Sequence, residues 1–203
     1  EVYIGGIVGK IKGQIDSCSN SSNITAVFDW IWKAYLGGIV GYAYDASISN
    51  SSNVGNISNT GSVGKYGVFV GGIAGKNGEQ RTILNCKNSG TISSTGYRVG
   101  GIVGEGSIFD FCENSGSITN NYLAQSSMDS SFVGGIAGTS GNIMNSINTG
   151  HVDGEIAGGL AGSISAARKS INDGSVKGAL YAGGIGGVCS NYIVTSINKG
   201  SLE

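Results

Sequence analysis

Gly71-Gly72-Ile73-Ala74-Gly75 decides the fold, because the same five positions return along the whole chain. They read Gly5-Gly6-Ile7-Val8-Gly9, Gly37-Gly38-Ile39-Val40-Gly41, Gly100-Gly101-Ile102-Val103-Gly104, Gly134-Gly135-Ile136-Ala137-Gly138, Gly158-Gly159-Leu160-Ala161-Gly162 and Gly183-Gly184-Ile185-Gly186-Gly187. A second phrase follows each copy: Cys18-Ser19-Asn20, Ser51-Ser52-Asn53, Cys86-Lys87-Asn88, Cys112-Glu113-Asn114, Ser146-Ile147-Asn148, Ser170-Ile171-Asn172 and Ser196-Ile197-Asn198. Four places beyond each Asn stands an apolar residue: Ile24, Ile57, Ile92, Ile118, Val152, Val176 or Leu202. The chain is a repeat array.

From the double glycine to the Asn the spacing is 15, 16, 17, 14, 14, 14 and 15 residues, whereas the run on to the next double glycine is 17, 18, 12, 20, 10 and 11. A fixed framework with one variable segment per repeat predicts a stacked unit whose insertions gather at one corner or edge. Each repeat offers only Gly-rich, β-branched and Ser/Asn-rich runs of about five residues, too short and too poor in helix formers for helices. Three short strands separated by Gly, Ser and Asn corners fit instead. The expectation is an all-β parallel β-helix of about seven coils, one solenoid domain over residues 1–203, with variable loops at one corner. Strand one is the double-glycine phrase with its lead-in. Strand two precedes and includes the Ser/Cys slot, and strand three begins at the apolar residue after the Asn.

Stacking at ~4.8 Å per coil turns equivalent positions into ladders along a rod roughly 30–35 Å long. Ile7, Ile39, Ile73, Ile102, Ile136, Leu160 and Ile185 should form one apolar column. Asn20, Asn53, Asn88, Asn114, Asn148, Asn172 and Asn198 should form an amide ladder at a bend that asks for left-handed backbone. The same register sets Lys76 beside Glu105, Lys87 beside Glu113 and Asp173 beside Lys199, exposed pairs worth at most ~1 kcal/mol each.

Composition narrows the function. With 38 glycines, no proline and 12% charged residues, the chain is neither a charge-rich disordered tail nor a proline-rich linker. A net charge of −1 makes no field to gather nucleic acid or anionic lipid. No run of about 18 apolar residues offers membrane insertion within this segment. The start at Glu1-Val2-Tyr3-Ile4, one step before a repeat, reads as a cut inside a longer array. Four cysteines are too few for a disulfide scaffold, and Cys18, Cys86 and Cys112 hold the slot that serine fills elsewhere, a small semi-buried position. Stacked neighbours would bring Cys86 and Cys112 within disulfide range, which leaves a bridge open.

Little raw material for catalysis is present. His151 is the single histidine and reads as a surface residue, so neither a His-Glu-x-x-His zinc site nor a Ser-His-Asp triad is expected, and no cofactor is called for. Asp110 with Glu113 and Glu105, and Asp153 with Glu155, are the carboxylate clusters. Neither recurs on adjacent coils as a pair flanking a groove, so they read as solvated surface. Aromatic residues stand two places before the double glycine at Tyr3, Tyr35, Phe69, Phe132 and Tyr181, and the residue between is always apolar. Strand one is thus apolar on both faces, one the coil interior and the other covered by the long loops or by another molecule. In the stretch from Phe28 to Tyr35, strand spacing would point Phe28, Trp30 and Trp32 to one side, beside Tyr35. That arrangement is a sugar platform, a partner contact or a plug over the coil. Asn20, Asn23, Asn50 and Asn56 begin Asn-x-Ser/Thr sequons, glycosylation sites if the source is eukaryotic and secreted.

The alternation of Gly-Gly-Ile-Val/Ala-Gly with phrases such as Asn85-Cys86-Lys87-Asn88-Ser89-Gly90 and Asn145-Ser146-Ile147-Asn148-Thr149-Gly150 resembles the GLUG-motif repeats, over essentially the whole chain. Ser22 and Asn56 depart from the glycine spacing around the Asn phrase. The resemblance implies a repeat of large secreted and surface proteins, including adhesin-like proteins and non-catalytic parts of IgA-cleaving metallopeptidases. It implies a scaffold without chemistry of its own. The expected function is therefore a non-enzymatic structural or adhesive segment of an extracellular or cell-surface protein, a stalk, spacer or filament block that associates with itself or with neighbouring repeats. Open coil ends favour the filament. A carbohydrate-binding module on the Trp30/Trp32 loop and a polysaccharide-acting enzyme are the alternatives.

Overall fold

Repetition places the same residue types over one another, and only parallel stacking in register lets every copy bury them in the same way. The computed structural model describes residues 1–63, 67–122 and 130–203, with every side chain there except those of Trp30, Ser62 and Val63. It is a parallel β-solenoid built from sheets of eleven, eight and seven strands. Pairing joins equivalent residues of successive copies, as in Tyr3↔Tyr35↔Phe69, Val103↔Ala137↔Ala161 and Asn88↔Asn114↔Asn148.

The corners fall elsewhere than the sequence suggests. The double-glycine phrase is itself a corner: one strand ends on its first glycine (Ala34–Gly37, Val68–Gly71) and the next starts on its fourth residue (Val40–Ser49, Ala74–Asn77). The long second strand stops before the Ser/Cys slot, and that slot leads into a two-residue strand ending on the Asn. The strand after the Asn and the lead-in to the next double glycine belong to one sheet. In the shortest copies they form a single strand, Val152–Gly158 or Val176–Gly183. In longer copies an insertion splits that strand, as in Ile118–Asn120 and Phe132–Gly134. The variable loops thus interrupt a strand rather than a corner.

The bend before the Asn phrase does use left-handed backbone, but not at the ladder. Ser17, Asn50, Asn85, Phe111, Asn145, Lys169 and Thr195, each three residues before a ladder Asn, have φ between 45° and 53°. Most are residues for which this region costs roughly 1–2 kcal/mol, so stacking dictates the conformation rather than local preference. Departures from the 14-residue spacing are absorbed as local irregularities. Gly13 follows a register shift at φ 117°, and Asp45 and Gln80 are left-handed at φ 53° and 57°.

Two apolar clusters lie along the axis. One holds Ile39, Ile73, Ile102, Ile136 and Leu160 with the inward residues of the second sheet, among them Val40, Ile48, Ile83, Phe109 and Ile143. The other, lined by the eleven-stranded sheet, holds Leu36, Val70, Val99, Val133 and Ala157 with Ile57, Ile92, Ile118, Val152 and Val176. Between them the second glycine of each pair touches the ladder Asn: a Cβ on Gly72 or Gly101 would overlap the carboxamide of Asn88 or Asn114 and a carbonyl of the next coil. The two signature phrases therefore meet in space, and the missing side chain of one makes room for the side chain of the other.

Candidate functional site

The Asn column is a continuous hydrogen-bonded ladder. Each Nδ2 from Asn20 to Asn172 donates to the Oδ1 of the next Asn, at 2.8 or 2.9 Å. Each Nδ2 from Asn20 to Asn198 also donates to the carbonyl two residues on, Ser22 in the first copy and glycine in the others. From Asn53 to Asn172 these residues are essentially inaccessible. Both amide hydrogens are satisfied at each such level, which is how a polar side chain sits in a core without leaving an orphan donor.

The richest surface feature is the aromatic column. Leu36 and Val70 take the inner face, so Tyr35 and Phe69 face outward. Ring centroids stand 5.4 Å apart for Tyr3–Tyr35 and 5.2 Å for Tyr35–Phe69, and Tyr42 from the second sheet stacks 5.0 Å from Tyr35. Tyr97 meets Phe69 and Phe132 edge-on, bridging the level where Arg98 replaces an aromatic. Lys10 lies 4.8 Å from the Tyr3 ring, Lys33 lies 5.6 Å from Phe69 and Arg98 5.5 Å from Phe69. Glu105 gathers Lys76 at 2.6 Å and Arg98 into one ion cluster. Burial pushes the Tyr35 hydroxyl up to about 12. The outer face of strand one is thus covered at Tyr35 and Phe69 by residues of the chain itself. Because the stacked rings spend their faces on one another, a sugar ring has no aromatic face to lie on between them. Tyr42, Tyr97, Lys10 and Arg98 escaped the sequence reading. Their signal, an aromatic or basic residue shortly after the third glycine or shortly before a lead-in, shows only once the corner is placed.

The Trp loop does not assemble as strand alternation suggested. Phe28 is buried in the second apolar cluster, Trp32 is 74% exposed and Tyr35 belongs to the aromatic column. Between Phe28 and Ile31 the pairing with the next copy shifts register, Phe28 opposite Gly61 and Ile31 opposite Val63. One extra residue changes the face. The side chain of Trp30 lies outside the described residues.

The charged residues mostly work between coils. Lys76–Glu105, Lys87–Glu113 at 2.9 Å and Lys199–Asp173 at 3.5 Å form in the expected register, joined by Lys177–Asp153 at 3.6 Å. Asp110 accepts from the Asn145 amide at 2.7 Å, and Glu155 accepts from the Ser131 N–H at 2.7 Å. Asp16 accepts from Ser49 and Asn50, which holds its carboxyl below the usual range. His151, half-buried, pairs Nδ1 with Ser175 Oγ at 2.7 Å across one coil. All four cysteines are free thiols, and burial raises Cys86 to about 11 and Cys112 further. Among the sequon residues Asn20 is buried in the ladder, whereas Asn23, Asn50 and Asn56 are exposed. Among the described residues no group of three His, Cys, Asp or Glu side chains is placed to hold a metal ion.

The family model of the GLUG motif matches residues 34–58, which run from the lead-in of the second double glycine through Asn53 to the apolar residue beyond it. No curated protein and no solved structure matches the chain.

Proposed function

From a chain that carries the GLUG motif, we propose a non-enzymatic structural or adhesive segment of an extracellular or cell-surface protein, a stalk or spacer whose work is to hold its ends apart. One observation carries this reading: among the described residues, the Asn ladder, the stacked rings from Tyr3 to Phe69 and the paired acids spend their polar and aromatic groups on contacts from coil to coil. Acids pair with lysines one level away, the ladder amides with each other, and the rings stack along the axis. A polysaccharide-cleaving site needs carboxylates facing a groove with room for a sugar and a water. Turnover on a panel of neutral and uronic polysaccharides tests the reading; none is expected, and release of oligosaccharides would overturn it.

A carbohydrate-binding role is the second reading, favoured by the exposed indole of Trp32 just beyond the strand Ile24–Ile31. Glycan-array binding that is lost in Trp30→Ala/Trp32→Ala would promote it. An array blank for the unaltered chain leaves the structural reading in place.

A further inference from the structure

The flank of the second sheet carries a notch that contacts between coils leave unfilled. Ile143 and Ala167 stand in register and belong to the core, so the residues before them, Asn142 and Ala166, face outward, in one column with Tyr192. Ala166 has the shortest side chain of the three. Its methyl lies at the bottom, 3% exposed, with Asn142 one coil before it and Tyr192 one coil after. The coil of Tyr192 carries an extra residue at this point: Ser190 and Asn191 lie opposite Ser165, a bulge of the kind that re-aims the side chain next to it. The resulting cavity of about 200 Å³ is lined by Asn142, Met144, Ala166, Arg168 and Tyr192 among others. It opens sideways, between coils rather than at an end.

The groups around the notch suit an anion that also carries hydroxyls. Arg168 places its Cζ 5.9 Å from the Tyr192 ring centroid. Among the described residues neither Arg168 nor the adjacent Lys169 enters an ion pair, whereas Lys87 and Lys199 each meet an acid one coil away. Arg168 and Lys169 are both exposed, so their charge is uncompensated and open to a ligand. A guanidinium offers paired N–H groups that match the two oxygens of a carboxylate. A carboxamide such as that of Asn142 both donates to and accepts from hydroxyls. A tyrosine ring gives the C–H face of a sugar an apolar surface. The volume falls below the roughly 300 Å³ of a drug-sized pocket, which limits the occupant to about one sugar unit.

We infer that this notch binds the carboxylate-bearing sugar of an acidic glycan, a uronic or sialic acid unit, with Arg168 on the carboxylate, Asn142 on a hydroxyl and Tyr192 against the sugar ring. The inference rests on the adhesive form of the reading above and gives it a ligand class. Turnover decides whether the segment is an enzyme and leaves the notch untouched. Trp32 lies several coils away along the axis, on the lead-in to the second double glycine, so loss of binding through the notch and loss through the Trp loop are separate results.

NMR titration of the full, isotopically labelled chain provides the test. Trigalacturonate and sialyllactose serve as acidic probes, the methyl ester of trigalacturonate and lactose as their neutral counterparts, and acetate as a carboxylate without a sugar. At least one acidic probe should shift the resonances of Asn142, Arg168 and Tyr192 saturably and bind about tenfold or more tightly than its neutral counterpart or acetate. Which of the two responds separates uronic from sialic acid. Arg168→Gln should weaken that probe about tenfold. Ala166→Leu, which fills the notch, should abolish the shifts, while Trp30→Ala/Trp32→Ala should leave them unchanged. Arg168 is exposed, so its variant keeps the fold even if the leucine does not. The inference is overturned if neither acidic probe moves these resonances, if a neutral sugar or acetate binds as tightly, or if Arg168→Gln binds like the unaltered chain.

Discussion

Ile102 and Ile7 fill the same slot of the repeat and make the same backbone bond to the next coil, yet Ile102 is fully buried and Ile7 is 54% exposed. The same contrast separates Asn114 from Asn198, and Ile143 from Ile193. A coil of this solenoid does not make its own core. Burial comes from the level above and the level below, so stability belongs to interfaces between copies, and inner coils should respond to substitution more than end coils.

The largest difference is expected at the glycine that faces the ladder. Gly101→Ala sets a methyl against the Asn114 carboxamide and the Gly135 carbonyl, whereas Gly184→Ala meets the exposed Asn198 side chain, whose carboxamide can rotate away while its Cβ needs a small backbone shift. Chemical denaturation should find the first variant unfolded or weakened by more than about 4 kcal/mol and the second much less affected. Next come the core isoleucines. Ile102→Ala should cost about 2–5 kcal/mol, and Ile7→Ala under about 1 kcal/mol, since its side chain is already half in water. Equal losses would mean that the N-terminal coil is covered in solution.

In the ladder, Asn114→Ala leaves a buried Asn88 amide hydrogen without its acceptor and the Gly116 carbonyl without its donor. A loss of about 1–3 kcal/mol is expected, against under about 1 kcal/mol for the exposed Asn198→Ala. The smallest effect concerns the thiols. Cys189 should react with iodoacetamide in the native protein, whereas Cys86 and Cys112 should react only on unfolding. Cys86 rises on folding from its ordinary 9.0 to about 11, so the unfolded chain ionises first. Its contribution to stability is full below pH 9 and lost as pH rises toward 11. Cys86→Ser, the residue of four other copies, should flatten the alkaline fall in melting temperature.

Much of this was legible because repetition encodes register. Once Gly72, Gly101 and Gly135 are known to be equivalent, the pairing of Lys76 with Glu105 and the continuity of the Asn column follow from the spacing alone. The aromatic surface was half legible: Tyr3, Tyr35 and Phe69 announce a column, but Tyr42 joins it from another strand, and only the corner at Gly38-Ile39 brings that strand alongside. The Trp loop was legible only in part, because strand alternation sets Phe28 and Trp32 on one side, whereas Phe28 is buried and Trp32 exposed, with a register shift between Phe28 and Ile31.

By itself the sequence determined the period, the parallel register and the identity of the columns, since those depend only on which residues recur. Tertiary structure alone decided where the chain turns, which face each side chain takes and that the glycine and asparagine phrases touch. The physical reason is that a strand's facing has a period of two, so a single bulged residue reverses it, and a left-handed corner displaced by three residues redirects the chain. Such residues are held in place by the neighbouring coils and leave no mark of their own in composition.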